Sequence, residues 1–332
     1  MSLSRTRRGG ATLALVATLA VITSACSGGG APKSSNASSS SGGGGGNSGY
    51  TFAMITHETP GDTFWDRIKA GANQAAKDTG STLKYSADPD ATKQAVLIQN
   101  AIDSKVDGIA TTLVTPDALI PTVKKAVAAG IPVDSFNSGL GFYKQAGAIT
   151  HFSSDEFLAG QQAGEKAKAA GGKKVLCVIQ QAGSVALEDR CKGVKSKFPS
   201  TENIQVNGAD DSAVTSAIQA KLSQDKAIDW VITLGAAQAL DTIKAIPAAN
   251  SSAKVGTFDL NIDAAQAVKD GKLQFCIDQQ PYLQGYLAIT QLYLFKKNGN
   301  IMGGGSAVLT GPSFVDKTNV DTVLPFVKKN TS

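Results

Sequence analysis

From Tyr50 onward, short apolar runs rich in β-formers alternate with longer segments whose apolar side chains recur every three or four positions. "YTFAMIT" reads as a strand, and after a Gly-Asp turn Phe64, Ile68, Ala72 and Ala75 trace one face of a helix that Gly80 ends. The alternation then repeats. Strands are predicted at "TLKYSA", "VDGIATTLV", "IPVDSFNS", "QAGAITHFSS", "KKVLCVIQQ", "IQVNG", "IDWVITLG", "AKVGTFD" and "KLQFCIDQ". Helices are predicted between them, among them "TKQAVLIQNAIDSK", "PDALIPTVKKAVAAG", "DEFLAGQQAGEKAKAAG", "ALEDRCKGVKSKF" and "YLQGYLAITQLYLFKKNG". Strands alternating with helices on short connections make parallel sheets covered on both faces. The strands are too many for one comfortable sheet, so the pattern predicts an α/β protein of two similar lobes. Ligands of open α/β sheets sit at the carboxyl ends of strands, which places the expected site in the cleft between the lobes.

The pattern is different before Tyr50. Arg5, Arg7 and Arg8 precede an apolar run from Ala11 to Ile22 and then Thr23-Ser24-Ala25-Cys26. This is the layout of an export signal, too short to serve as a stable membrane span. Thr23-Ser24-Ala25 before Cys26 resembles a bacterial lipobox, which implies that residues 1–26 are a lipoprotein leader with Cys26 lipidated, plain cleavage beside an incidental Cys being the alternative. Residues 27–49 are Ser, Gly, Ala and Asn with one Lys and one Pro, and hold too little apolar surface to offset ordering entropy. They predict a flexible tether with an r.m.s. span of roughly 25 Å. The whole describes a domain held near the outer face of a bacterial cytoplasmic membrane.

Charge and chemistry narrow the function. Loss of the leader's three Arg and no acid takes the formal charge from +5 to +2, and no basic run is interleaved with aromatics, so nucleic acid is not an expected partner. Of the remaining cysteines, Cys177, Cys191 and Cys276, a Cys177–Cys191 bridge with one spare thiol is the simplest arithmetic in an exported chain; three free thiols are the alternative. His57 and His151 have no metal-spaced partners, and no phosphate loop, nucleophile elbow or dinucleotide fingerprint occurs. Asp88 and Asp90 read as turn and cap residues. Neither enzyme, metal nor cofactor is called for.

Three stretches carry a family resemblance: "DTFWDRIKAGANQAAKDTG", "KVDGIATTLVTPDALIPTVKKAVAAGIPV" and "VGTFDLNIDAAQAVKDGKLQFCIDQQPYLQGYLA". From about Tyr50 to Val315 the chain resembles the ribose- and galactose-type periplasmic substrate-binding proteins of ABC importers. The resemblance implies two Rossmann-like lobes joined by three crossovers, the type I fold of that class. It implies lobes at 50–151 (with about 281–300 returning) and 152–280 (with part of the tail, about 305–332). It puts Phe64 and Trp65 at stacking positions. Asn137 falls where an acid is frequent, Ser138 and Glu188 where Arg is frequent, and Gly235 where Asn is frequent. Asp259 and Gln279 keep the family's polar types, and Thr112 is a further lining position. Ser154 and Gln280 fall at the hinge.

Physical chemistry agrees with such roles. An aromatic face covers the C–H face of a sugar or polyol, while amides and carboxylates bond neighbouring hydroxyls. Other readings exist for single residues. His57 suits a satisfied strand-end histidine, Glu188 a solvated first-turn acid paired with Lys192, and Asn137 an Asx-turn before Gly139. Tyr282 and Tyr286 suit helix packing. The expectation is a monomeric binding lipoprotein that delivers a small polar ligand to an ABC permease. The alternatives are a ligand sensor for a membrane receptor or a surface hydrolase on the same fold.

Overall fold

Two six-stranded sheets with the same internal order organise residues 47–332, which are those the computed structural model describes. The leader, Cys26 and most of the predicted tether lie outside these residues. The first half runs β1 (Thr51–Thr56), α1 (Phe64–Thr79), β2 (Thr82–Ala87), α2 (Ala91–Asp103), β3 (Gly108–Thr111), α3 (Pro116–Ala128), β4 (Val133–Phe136), α4 (Tyr143–Ala146) and β5 (His151–Ser154). The second runs α5 (Glu156–Ala169), β6 (Val175–Ile179), α6 (Val185–Lys197), β7 (Thr201–Gln205), α7 (Asp211–Gln224), β8 (Trp230–Thr233), α8 (Ala236–Ala248), β9 (Lys254–Phe258), α9 (Ile262–Lys269) and β10 (Phe275–Asp278). The chain then continues through α10 (Pro281–Asn298), a 3₁₀ turn, β11 (Val308–Gly311), β12 (Ser313–Asp316) and α11 (Val320–Val327).

The sheets are ordered β11-β5-β4-β3-β1-β2 and β12-β10-β9-β8-β6-β7. Pairing is parallel throughout except for the antiparallel edge strand β12. Each lobe is therefore doubly wound, with its strand order reversing between β1 and β3 or between β6 and β8. The central strands "GIAT", "VDSF", "VLCVI" and "WVIT" are buried along their whole length, as sheets covered on both faces require.

The lobes exchange helices. Strand β5 belongs to the first sheet, yet the following α5 packs on α6 of the second lobe; β10 belongs to the second sheet, and α10 packs on α1 of the first. Glycines set both helix contacts. A Cβ on Gly71 would strike the Tyr282 carbonyl and one on Gly285 the Ile68 carbonyl, while Gly160 and Gly193 abut the carbonyls of Arg190 and Phe157. Cys177 on β6 and Cys191 on α6 are disulfide-bonded with their Cα atoms 5.9 Å apart, and Cys276 is a buried free thiol.

Several expected boundaries move. The first lobe reaches Ser154 rather than 151, because Ser135 and Phe136 pair with His151 and Phe152 and hold β5 in the first sheet. Val308–Gly311 of the tail also pairs with β5, and the tail joins the second sheet only from Ser313. The strand expected over "IQVNG" starts earlier, at Thr201, where its backbone pairs with Val175. The start of "QAGAITHFSS" is instead the end of helix α4, closed by Gly147 at φ 84°.

Candidate functional site

The site is built on matching strand ends. In the first lobe β4 ends at Phe136 and the next residue, Asn137, has φ 63°; in the second β9 ends at Phe258 and Asp259 has φ 64°. Asn and Asp tolerate this left-handed conformation better than other non-glycine residues, which fits their presence at the two turns. Each backbone N–H donates to the neighbouring strand, Asn137 to the Phe152 carbonyl and Asp259 to that of Ile277, both at 2.9 Å. The two side chains meet on Gln279. Asn137 Nδ2 donates to Gln279 Oε1 at 3.1 Å, and Gln279 Nε2 donates to Asp259 Oδ1 at 2.6 Å.

Between the lobes lies a cleft of about 1070 Å³. Its first-lobe wall is the β1–α1 loop, from Thr59 to Phe64, with Pro89 beside it. Phe64 lines the cleft, and Trp65 does not. Trp65 is 3% exposed and packs in the first-lobe core, with the Phe64 and His57 rings edge-on to it at 5.2 and 4.7 Å. Neighbouring helical residues point about 100° apart, so only one of the two rings can face the cleft.

His57 and Thr112 are buried together: His57 Nδ1 lies 2.8 Å from Thr112 Oγ1, to which Gln94 Nε2 donates at 3.0 Å. Burial pushes the His57 ring down to about 3, so it is neutral at physiological pH. These two residues, with Asn137 and Ser138, lie outside the cleft lining. Asn137 bonds to Gln279 and Thr112 to His57 and Gln94, while Ser138 Oγ is buried without a partner, and the strands that lead to these residues are covered by α2 and α10.

The second-lobe wall holds Asp259 and Gly235 with the ends of β6 and β7. Behind Asp259 stands Arg190, which donates through Nε to Glu156 Oε2 at 2.6 Å and through Nη1 to the Leu234 carbonyl at 2.9 Å, and rests on the Phe258 ring. Its Nη1 is 3.8 Å from Asp259 Oδ2. Burial pushes the Asp259 carboxyl up, and the Arg190 guanidinium opposes that rise. Glu188 is not part of this wall. Its side chain is 41% exposed, 3.6 Å from Lys192 Nζ, in a shallow groove on the flank of the lobe. Two residues along a helix is a turn of about 200°, so the inward position belongs to Arg190.

The three crossovers converge behind the cleft. A Cβ on Gly311 would come within 3.0 Å of the Asp278 carbonyl and Gln279 Cα and within 3.4 Å of Ser154 Oγ. Thr310 Oγ1 and Gln284 Nε2 both donate to the Gln279 carbonyl, at 2.7 and 3.1 Å. Gln280 has φ 56° at the start of α10. Ser154 is buried at the same junction.

Some residues at the cleft had no sequence signal. Asp62 lines its mouth, and crowding by protein, with Asp259 and Glu58 adding negative charge, holds its carboxyl up at about 6 while water still reaches it. Arg67 lies outside the lining, 3% exposed, with a buried Nε that has no partner; burial lowers its pKa, opposed by Asp278 and Asp259. Gln180 and Gln238 also line the cleft, and a lone Gln carries no pattern that would have marked either. Among the described residues no cluster of three or more His, Cys, Asp or Glu is placed to hold a metal ion, and no helix is long and apolar enough to cross a membrane.

Comparison with known proteins fits this architecture. A family model described as a periplasmic binding protein domain matches residues 52–299. The xylose/arabinose-binding protein XylF of Sulfolobus acidocaldarius is 27% identical over 246 residues, 68% of this chain and 61% of that protein, so the match spans less than two thirds of that relative. The ribose import binding protein RbsB of Haemophilus influenzae is 27% identical over 248 residues, 71% of this chain and 82% of that protein. A crystal structure of a carbohydrate transporter from Acidothermus cellulolyticus 11B, in complex with myo-inositol, is 53% identical, with a TM-score of 0.84 over 85% of this chain and 99% of that one. With its two doubly wound lobes, its cleft and a match over most of its length, the chain belongs to the periplasmic binding protein family and has the type I fold.

Proposed function

We propose that the protein is an extracytoplasmic solute-binding component of an ABC importer that captures a neutral polyhydroxylated ring, with myo-inositol the first candidate. The observation that carries the reading is the composition of the cleft. Phe64 offers an aromatic face, while the carboxylates of Asp62, Asp210, Asp211 and Asp259 line the cavity without a Lys, Arg or His among the lining residues. Carboxylates and amides accept hydroxyl hydrogens, and the negative lining disfavours phosphorylated or carboxylated compounds. The similarity to a structure solved with myo-inositol supports the same class. The relatives are binding proteins, and the function is binding rather than catalysis.

Ligand capture stabilises a closed arrangement of the lobes about the three crossovers, and an ABC permease receives the ligand from that form. Lipidation at Cys26 tethers the monomer to the outer face of the membrane. A thermal-shift screen of sugars, cyclitols and their phosphates tests the ligand class. At 100 times its Kd, the ligand adds about 2.7 kcal/mol of stability. Shifts produced only by charged amino acids, peptides or phosphate esters would falsify the neutral-polyol reading. Membrane fractionation of a Cys26→Ser variant tests the anchor, and unchanged membrane retention sinks it.

A further inference from the structure

We infer that Gln180 and Gln238 are ligand-holding amides of this site, and that Gly235 is glycine to make room for them. The inference rests on the neutral-polyol reading above and extends it to residues that the family comparison leaves unassigned.

The three residues converge at the strand-order reversal of the second lobe, where open α/β sheets bind their ligands. Gln180 follows β6, Gly235 follows β8, and Gln238 lies in the first turn of α8. All three line the cleft. Gly235 has φ −158°, an extended conformation open to any residue, so backbone freedom does not explain it. Space does. A Cβ at Gly235 would collide with Gln238 Oε1 and would stand 3.0 Å from Gln180 Nε2. Two amides from different elements therefore occupy the volume that a side chain at 235 would take.

Both amides have unused hydrogen-bonding capacity. Gln180 Nε2 donates to the Leu234 carbonyl at 3.2 Å, which fixes the amide, but its Oε1 is buried and has no partner. Gln238 is 6% exposed, and its side chain bonds to no other described residue. A buried carbonyl oxygen without a donor is unfavourable, and such groups in native proteins are normally satisfied. A ligand hydroxyl in the cleft supplies the donor for Gln180 Oε1, and the Gln238 amide can both donate to and accept from a neighbouring hydroxyl. Both groups are uncharged, so they recognise a hydroxylated rim with no added preference for a cation.

The experiment is calorimetric titration of the purified protein with myo-inositol, comparing wild type with Gln180→Leu, Gln238→Leu, Gly235→Ala, Gln238→Ala and the Gly235→Ala/Gln238→Ala double variant. Each Leu variant is expected to weaken binding about tenfold or more while keeping the ligand-free melting temperature. Gly235→Ala is expected to weaken it similarly by displacing Gln238, so that adding it to Gln238→Ala brings little further loss. Wild-type affinity in both Leu variants overturns the inference, and so does full additivity of Gly235→Ala with Gln238→Ala. Should one Leu variant fail to fold, the other together with Gly235→Ala decides. If the wild type itself binds neither myo-inositol nor any sugar, the polyol reading falls and this inference falls with it; the two failures are thereby told apart.

Discussion

Asn137 and Asp259 occupy corresponding turns of the two lobes and are bridged by one side chain, the amide of Gln279. That amide is oriented by its partners, Oε1 toward the amide of Asn137 and Nε2 toward the Asp259 carboxylate. It couples the two strand ends directly. Gln279→Leu removes both bonds and leaves Asn137 Nδ2 only the Gln284 side-chain oxygen, at 3.3 Å. The expected result is a loss of affinity of about 10- to 100-fold, in line with roughly 1.5–3 kcal/mol for a hydrogen bond to a charged group. Asp259→Ala is expected to abolish the ligand-induced thermal shift with the ligand-free fold intact. Affinity unchanged in both variants would remove the bridge from the site.

Phe64 and Trp65 separate by phenotype. Trp65 is in the core, so Trp65→Ala is expected to cost about 3–5 kcal/mol of stability in denaturant titration. Phe64 lines the cleft, so Phe64→Ala is expected to weaken ligand binding with a much smaller stability loss. The reverse pattern would reassign the two rings.

The disulfide closes a short loop, with Cys177 and Cys191 14 residues apart. Chain-entropy arguments give such a loop about 3 kcal/mol, so a Cys177→Ala/Cys191→Ala variant is expected to melt several degrees lower. Thiol titration of the native wild-type domain is expected to find no reactive group among the described residues, since Cys276 is buried. Ready labelling of Cys191 without reductant would contradict the bridge.

Both histidines are held at about 3 by burial, below the ordinary 6.5. The folded state therefore binds fewer protons than the unfolded chain between those values. Each histidine contributes stability that is complete above about 6.5 and is lost as pH falls toward 3, with a slope of up to about 1.4 kcal/mol per pH unit. The ring resonances of His57 and His151 are expected to stay unprotonated from about pH 7.5 to about 4.5 by NMR. A titration midpoint near 6.5 for either ring would contradict its burial.

Much of the site was legible because strand ends and helix starts are local features. The "TFW" helix start, the Asn after "DSF" and the Asp after "GTF" could be placed on the fold from pattern and resemblance. The sides they face could not. Trp65, Thr112 and His57 are on the right elements, yet neighbouring helices close over them. Glu188 was on the right helix at the wrong angle, because helix phase depends on where the helix begins and what it packs against.

By itself the sequence determined the alternation of strands and helices, two lobes and a cleft lined by polar strand ends, since hydrophobic periodicity and turn residues act within a few positions along the chain. Tertiary structure alone decided which residues share the cleft. Gln180, Gly235 and Gln238 come from separate stretches, and their amides meet only once β6 and β8 stand side by side. Arg190 reaches Asp259 only because α5 and α6 pack behind that wall. The crossovers touch at Ser154, Gln279 and Gly311, far apart in sequence. Such contacts follow from sheet order and helix packing, which no short segment encodes.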